Sequence, residues 1–217
     1  MKINEVVVGK FLYETSNRFK GEAILLGKRQ SVYIASSVKL ENFIDLNNKP
    51  CLFLKLNKSS RYKLIACDCN NNGKYTIVDL SLINKIVKNY YESQGLKVSS
   101  EKKLTSNYRT DLWIEEENKG VEVKSVILDK VQTFPSRNTV RIYKQLDEIC
   151  NLLKHNKRIT LLLVCNRTDI SLEFNTNDKL FINKFKEAKK RGLLLKYLYL
   201  CCDCKGNCFL EPISNIN

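Results

Sequence analysis

The sequence is poor in several features, and each shortage disfavours a class of protein. No stretch of about 18 or more apolar residues occurs, so we expect no membrane-spanning helix. The first residues lack the apolar core of a signal peptide, because Glu5 stands where that core would begin. These two absences predict a soluble, cytoplasmic protein. No glycine-rich phosphate loop, nucleophile elbow or Cys/His dyad is visible, which disfavours an enzyme acting on small molecules.

The nine cysteines are an odd number and accompany no secretory signal, so we expect free thiols or metal ligands rather than disulfides. Cys51, Cys150 and Cys165 lie in apolar runs, where cysteine packs as a small hydrophobic residue. The other six cluster in turn-like or terminal segments: Cys67, Cys69, Cys201, Cys202, Cys204 and Cys208. Their spacing is not that of common zinc ribbons and His155 is the only histidine, so a structural Zn²⁺ ion is the less favoured alternative.

The chain carries 37 basic and 23 acidic residues, a net charge of +14. This excess favours a polyanionic partner, nucleic acid ahead of an anionic membrane. No basic run is long enough to form a tail, so the positive charge should lie on folded surfaces. A lysine-rich, AT-biased genome would produce the same excess without any partner.

The segment that organises the chain reads as a β-hairpin. Residues 112–116 are apolar and β-prone, and residues 118–120, Asn-Lys-Gly, have turn chemistry. Residues 121–128 return with alternation of period two, which places Glu122 and Lys124 on one face. The hairpin would bring Asp111 close to Glu122 on the neighbouring strand.

Two carboxylates and one ammonium on a single face have a chemical use. Asp111 and Glu122 would supply oxygen ligands to Mg²⁺ or Mn²⁺, and Lys124 would orient a water or neutralise developing charge. A solvent-facing Glu–Lys pair on a sheet is the alternative, because the tripeptide Glu-x-Lys is common.

The context of this tripeptide resembles one known family. Residues 108–114, Tyr-Arg-Thr-Asp-Leu-Trp-Ile, and residues 120–126, Gly-Val-Glu-Val-Lys-Ser-Val, resemble the core of the sugar fermentation stimulation protein (SfsA) family. There the pattern is roughly Ser-Arg-Ile-Asp-Phe-Leu followed by Tyr-Val-Glu-Val-Lys-Ser-Val, and the family is a branch of the PD-(D/E)XK nuclease superfamily. The likeness continues at Phe134, Pro135, Thr139, Arg141, Lys144 and Leu146, and near the N-terminus at residues 9–12 and 17–19.

The residues and the resemblance together predict the fold. Residues 1–78 contain five or six short strands, which indicates a small barrel or sandwich, and the resemblance implies an OB-like β-barrel that binds nucleic acid. Residues 79–217 alternate helices and strands, which predicts an α/β sandwich around a mixed sheet, and the resemblance implies that this part is a PD-(D/E)XK nuclease-like domain. The whole is α+β or α/β in class. Glu101 falls where family members often have an acid, so the resemblance implies a third metal ligand there.

The chain also departs from the family. A stretch resembling His-Cys-Pro-Asn-Thr-Gly is replaced by residues 34–39, and Ser136, Val140, Ile142 and Gln145 replace polar or small residues of relatives. Loss of polar groups near a phosphate-processing site would weaken catalysis, although Asp111, Glu122 and Lys124 are all retained.

Aromatic and basic residues of the barrel and the nuclease-like domain are candidates for contacts with nucleic acid. Bases stack on aromatic side chains within basic grooves. The aromatic candidates are Phe11, Tyr13, Phe19, Tyr33 and Tyr62, although Phe11, like Phe53, is better explained as core. The basic candidates are Lys10, Arg18, Arg29, Arg61, Arg109, Arg141 and Lys144.

Two functions therefore compete on the sequence. The first is a DNA-binding protein with a nuclease-like, metal-dependent phosphodiesterase site, SfsA-like and with DNA preferred over RNA. The second is a nucleic-acid-binding module that uses the same basic surface without useful catalysis. A homodimer stays an open alternative to a monomer.

Overall fold

The computed structural model describes residues 1–17, 19–36, 39–56, 61–127, 133–135, 140–166 and 172–213. Arg18 lies outside the described residues, as do Ser37, Val38 and Ser136 of the segments that depart from the family. Across the described part of the chain, no helix is long and apolar enough to cross a membrane.

The first third of the chain forms a closed barrel. Its strands are β1 (Val6–Glu14), β2 (Lys20–Leu25), β3 (Lys28–Ile34), β4 (Pro50–Lys55) and β5 (Tyr62–Cys67), with β6 (Thr76–Ile77) added beside β5. They follow the order β3-β2-β1-β4-β5, and a parallel pairing of β3 with β5 closes the barrel. The predicted small barrel is confirmed.

Large apolar side chains fill the barrel interior. Phe11 and Phe53 are fully buried, as expected for core residues. Gly21 allows this packing, because a Cβ atom there would lie 2.7 Å from the Phe11 ring. The turn between β2 and β3 was predicted at residues 27–29. It is formed instead by Leu26 and Gly27, which both have positive φ, so β3 already begins at Lys28.

The rest of the chain combines three helices with a second sheet. The helices are α1 (Leu80–Glu92), α2 (Val140–Lys154) and α3 (Lys179–Lys190). The strands are β7 (Val98–Ser100), β8 (Leu112–Ile114), β9 (Lys119–Val126), β10 (Thr133–Phe134), β11 (Arg158–Cys165), β12 (Glu173–Phe174), β13 (Leu194–Cys202) and β14 (Cys208–Pro212). Six of these strands form a sheet in the order β14-β13-β11-β9-β8-β7. Its centre is parallel and its margins are antiparallel, so the predicted mixed sheet is confirmed.

Helix α1 has a capping side chain at its start and a glycine shortly after its end. The Asp79 carboxylate caps its N-terminus by accepting a 3.1 Å hydrogen bond from the Ser81 backbone N–H. Gly95 follows the helix with a φ of 82°, a conformation that costs glycine little. Its buried stripe consists of Leu82, Ile83, Ile86, Val87 and Tyr91.

The two faces of the second sheet have different coverings. Helix α1 and residues of β4 and β5 pack on one face, around Leu112, Val121 and Leu162. Helices α2 and α3 pack on the other face, around Ile159, Leu161 and Leu163. On these two helices Leu152 and Phe181 are buried, whereas Leu180 is 51% exposed. The arrangement is an α/β sandwich with the barrel packed against one side.

The barrel and the sandwich share one apolar cluster. Leu52 and Ile65 of the barrel lie in the same cluster as Ile83 of α1. Lys63 of β5 also forms a 2.5 Å ion pair with Asp79, whose side chain is 4% exposed. The division at residues 78 and 79 stays a prediction, and these contacts show that the two parts pack together as neighbours.

Candidate metal-dependent phosphodiester site

The hairpin was correctly expected, but its turn is shifted. Residues 115–118 form the turn, and Asn118 has a positive φ of 48°. Lys119 and Gly120 already belong to β9, although the sequence placed them in the turn. Gly120 is needed for close packing instead, since a Cβ atom there would lie 2.8 Å from Ile159.

Asp111 lies where the hairpin ladder ends. The last paired residues are Leu112 and Val121, so the chain leaves the sheet at Asp111. The Asp111 carboxylate then accepts a 2.8 Å hydrogen bond from the backbone N–H of Val123. Asn84 of α1 donates a weaker 3.4 Å hydrogen bond to the other carboxylate oxygen. The side chain of Asp111 is therefore fixed beside the middle of β9.

Glu122 is held in a buried network on the neighbouring strand. It is 2% exposed, and one oxygen accepts a 2.8 Å hydrogen bond from the Tyr108 hydroxyl. The other oxygen accepts hydrogen bonds from Lys124 Nζ at 2.6 Å and from Gln145 Nε2 at 2.8 Å. The expected shared face of Glu122 and Lys124 is thus present as a direct ion pair.

The negative charges of Asp111 and Glu122 repel each other. Burial, and then the negative charge of Glu122, raise the pKa of Asp111 to about 6, although Lys124 and the Val123 N–H act in the opposite direction. Burial and the charge of Glu122 also raise the pKa of the Tyr108 hydroxyl, which keeps it a hydrogen-bond donor. Two carboxylates that destabilise each other's charge are suited to sharing a cation.

A cavity of about 550 Å³ opens beside Asp111 and Lys124. Its walls come from the segment after β3, the start of α1, the second half of β9, the Thr133–Pro135 segment and α2. Arg141 and Gln145 of α2 line it together with Asn84. Asp111 and Lys124 therefore face a space large enough for a small molecule or part of a polymer, and Glu122 lies buried behind Lys124 and Gln145.

The donor atoms fit a hard divalent cation in part. Asp111 and Glu122 supply carboxylate oxygens, which Mg²⁺ and Mn²⁺ prefer, and Mg²⁺ commonly keeps several waters. Within the described ranges, no group of three or more His, Cys, Asp or Glu side chains is arranged to hold a metal ion. Water or substrate oxygens would therefore complete the coordination.

Glu101 is placed differently from the other predicted ligands. Its backbone N–H donates a 2.9 Å hydrogen bond to the carbonyl of Asp111, so the backbones of the two residues are adjacent in space. Its carboxylate, however, is 73% exposed and pairs with Arg109 at 3.1 Å. The three acids do not meet as one group, and metal ligation by Glu101 stays a prediction.

The predicted basic contacts fall into separate places. Arg141 lines the cavity, and Lys144 is exposed one turn further along α2. Arg109 is exposed and lies in its ion pair with Glu101. Lys10, Arg29 and Arg61 are exposed on the barrel.

The outer face of β1, β2 and β3 joins aromatic and basic side chains. Lys10 pairs in register with Ile24, which pairs with Arg29. The three residues form one row across β1, β2 and β3, with a cation at each end. Arg29 lies over the Tyr13 ring at 5.6 Å. The rings of Phe19 and Tyr33 are 6.4 Å apart. We call this surface, formed by Lys10, Tyr13, Phe19, Lys20, Arg29 and Tyr33, the barrel face.

The exposure of the aromatic candidates sorts them into surface and core. Tyr13, Phe19 and Tyr33 are 44%, 41% and 40% exposed. Tyr62 is 8% exposed and belongs to the barrel core, so its assignment to a base-stacking surface is wrong. Because Tyr62 stands at the start of a strand beside Arg61, its sequence context did not reveal its burial.

Sequence reasoning missed three residues that hold the site. Tyr108 and Gln145 bind the Glu122 carboxylate, and Asn84 binds Asp111. Asn84 is a polar residue beside the apolar stripe of α1. Helical periodicity places it at the margin of the buried face but does not show that it binds another side chain. Gln145 is one of the residues at which the chain departs from the family, yet its side chain donates a hydrogen bond to Glu122.

All nine cysteines are free thiols. The sulfur atoms of Cys202 and Cys208 lie 3.2 Å apart on the paired strands β13 and β14. The cysteine clusters form no metal site in the described part of the chain, and a structural Zn²⁺ ion there stays an untested alternative.

These features define a class: a small barrel joined to a mixed α+β sandwich, with an acidic pair and a lysine at the end of a central hairpin. The family model described as "Sugar fermentation stimulation protein RE domain" matches residues 76–206, more than half of the chain. The chain belongs to the sugar fermentation stimulation protein (SfsA) family.

Individual relatives agree with this assignment. A sugar fermentation stimulation protein homolog of Carboxydothermus hydrogenoformans is 26% identical over 220 residues, covering 95% of each chain. A homolog of Roseobacter denitrificans is 30% identical over 140 residues, covering 57% of this chain and 59% of the relative. The solved structure of Pyrococcus furiosus SfsA in complex with Ca²⁺ matches with a TM-score of 0.77 and 21% identity, covering 100% of this chain and 98% of that one. The last similarity supports the fold.

Proposed function

We propose that the protein binds nucleic acid, DNA in preference to RNA, and hydrolyses phosphodiester bonds with a divalent cation held by Asp111 and Glu122. The observation that carries the proposal is the set of Asp111, Glu122 and Lys124, in which Glu122 pairs with Lys124 while Asp111 and Lys124 line an open cavity. The raised pKa of Asp111 supports it, because a cation would relieve the repulsion behind that shift. The Ca²⁺ of the Pyrococcus furiosus relative agrees, since Ca²⁺ also takes oxygen ligands.

Each residue of the site would have a different role in hydrolysis. The cation, when bound, would stabilise charge on the phosphate and acidify a water. Lys124 would hold the attacking water or a phosphoryl oxygen by a hydrogen bond, and Tyr108 and Gln145 would keep the Glu122 carboxylate in position. The water oxygen bonds to phosphorus, one P–O ester bond breaks, and the departing oxygen takes a proton. Arg141 at the cavity would bind the backbone phosphate.

One observation favours the second candidate, a nucleic-acid-binding module without catalysis. Both oxygens of Glu122 already accept hydrogen bonds, from Tyr108, Lys124 and Gln145. A carboxylate satisfied in this way needs no cation for stability. In that case the barrel face and the net charge of +14 would carry the function alone.

Cleavage of labelled single- and double-stranded DNA and RNA with Mn²⁺ tests the proposal. We expect Lys124→Met and Asp111→Asn each to lower the cleavage rate by about 100-fold or more, the scale of losing one charge-stabilising group. Lys184→Met is the matched control, because Lys184 pairs with Asp147 on the surface, outside the cavity. Binding without any cleavage, unchanged in both site variants, would establish the silent module instead.

A further inference from the structure

The cavity extends well beyond the carboxylate pair. In the described chain, β9 has no strand neighbour on its β8 side after the Leu112–Val121 pair. The cavity follows this free edge from Lys124 to Ile127. At about 3.3 Å per residue, that stretch covers about 10 Å. Five consecutive residues, 123–127, therefore contribute to the lining, and Lys124 is the charged one among them.

Apart from the charged residues, the side chains that line the cavity are mostly apolar. They include Leu40, Phe43, Leu80, Ile83, Phe134 and Pro135. A phosphodiester backbone presents charged phosphate oxygens, which gain nothing from such a wall. A nucleobase does, because its faces are apolar and stack on aromatic rings. Ser81, Ser125 and Thr133 add hydroxyl groups that suit the polar edges of a base.

Charge and size agree with a nucleotide. Lys124 and Arg141 are cationic and line the same cavity as Asp111. Their positive charge complements a phosphate beside the proposed cation site. The volume of about 550 Å³ lies within the range of small-molecule sites, about 300–1,000 Å³.

We infer that the cavity binds one unpaired nucleotide, with its base against the apolar wall and its phosphate beside Lys124 and Arg141. The inference rests on the proposed function in one respect: the bound nucleotide belongs to the nucleic acid that is cleaved. A paired base cannot enter without leaving its duplex, which costs free energy. Single strands, frayed ends or extruded bases are therefore the substrate class that this cavity selects.

Calorimetric titration of the full chain with deoxynucleoside 5′-monophosphates tests the inference in EDTA, without any cleavage. Deoxyribose 5-phosphate serves as the ligand that lacks a base. Leu80→Trp fills the cavity at the start of α1, and Leu80 is 52% exposed, so the fold should tolerate the change. Leu180→Trp is the matched control, because Leu180 is 51% exposed near the start of α3 and does not line the cavity.

We expect at least one monophosphate to bind about tenfold or more tightly than deoxyribose 5-phosphate, on the scale of one base stack. Leu80→Trp should remove this difference and Leu180→Trp should keep it. Equal affinity for both kinds of ligand, no binding at millimolar concentration, or equal loss in both variants would overturn the inference. A chain that cleaves DNA yet shows any of these results would keep its proposed function and lose only the nucleotide pocket.

Discussion

The cavity site and the barrel face use similar residue types in opposite physical settings. At the cavity, Glu122 is 2% exposed and its oxygens accept three hydrogen bonds. On the barrel face, Arg29 is 59% exposed and pairs with a partly exposed Glu22 at 3.2 Å. Electrostatic interactions are strong where water is excluded and weak where it screens them. Single substitutions should therefore have large effects near the cavity and small, graded effects on the barrel face.

The ion pair between the barrel and α1 should show the largest effect on stability. Lys63→Met leaves the Asp79 carboxylate, which is 4% exposed, without its counter-ion, and we expect a loss of about 3 kcal/mol in the free energy of unfolding. Lys88→Met removes a surface pair with Glu92 and should cost less than about 0.5 kcal/mol. Urea denaturation of both variants measures this contrast. Equal losses would contradict the distinction between buried and exposed charge.

Removing the charge of Asp111 should stabilise the fold while it damages the site. The folded chain holds this proton up to a pH of about 6, whereas an unfolded aspartate titrates near about 4. The contribution of Asp111 to stability therefore falls as the pH rises from about 4 to about 6, and stays low above. We expect Asp111→Asn to raise the free energy of unfolding at pH 7.5 by about 1–3 kcal/mol in EDTA.

The pH dependence supplies the control for that expectation. Below a pH of about 4 both forms of residue 111 are uncharged, so the gain should vanish there. Asp147→Asn changes an exposed aspartate in a surface ion pair and should change stability by less than about 0.5 kcal/mol at either pH. Denaturation midpoints at pH 4 and pH 7.5 give the comparison. A loss of stability in Asp111→Asn at pH 7.5 would show that Asp111 is not destabilised by Glu122.

Stacking on the barrel face should have an intermediate effect on binding. Tyr33 is 40% exposed and its ring lies 6.4 Å from that of Phe19. We expect Tyr33→Ala to weaken the binding of a single-stranded oligonucleotide by about 5- to 30-fold. Phe209→Ala changes an aromatic residue of β14 that is 49% exposed and should leave the affinity unchanged. Fluorescence anisotropy measures both, and equal affinities of the two variants would remove the barrel face from the binding surface.

Single cations of the barrel face should contribute least. Lys10→Ala removes one exposed charge beside Ile24 and should lower the slope of log affinity against log salt by about 0.7 for a single strand. Lys205→Ala removes a lysine from the turn before β14 and should leave the slope unchanged. Titrations at several salt concentrations give the slopes. An unchanged slope in Lys10→Ala would mean that this lysine contacts no phosphate.

The sequence was most informative where one local pattern determines structure. Alternation and turn residues predicted the hairpin, and the short strands of residues 1–78 predicted the small barrel. The turn itself was misplaced by the Asn-Lys-Gly sequence, since Gly120 is required by the packing of Ile159 rather than by the turn. Tertiary packing of this kind is not visible in local sequence.

The sequence predicted which side chains would carry the chemistry of the candidate site, but not which residues hold those side chains in place. Asp111, Glu122 and Lys124 share a pattern within 14 residues of chain. The hydrogen bonds from Tyr108, Gln145 and Asn84 depend on how α1 and α2 pack on the sheet. Glu101 illustrates the reverse case, because its backbone lies beside Asp111 while its side chain points to Arg109. Side-chain direction at such positions follows from backbone geometry that the sequence does not specify.

Direct measurement of Mn²⁺ binding tests the central claim, that Asp111 and Glu122 form a cation site beside Lys124. Electron paramagnetic resonance of Mn²⁺ with the intact chain counts bound ions without requiring a substrate. We predict one site that is lost in Asp111→Asn and weakened below a pH of about 6 as protons compete for Asp111. Undiminished Mn²⁺ binding in Asp111→Asn, or no binding by the unmodified chain, would contradict the account.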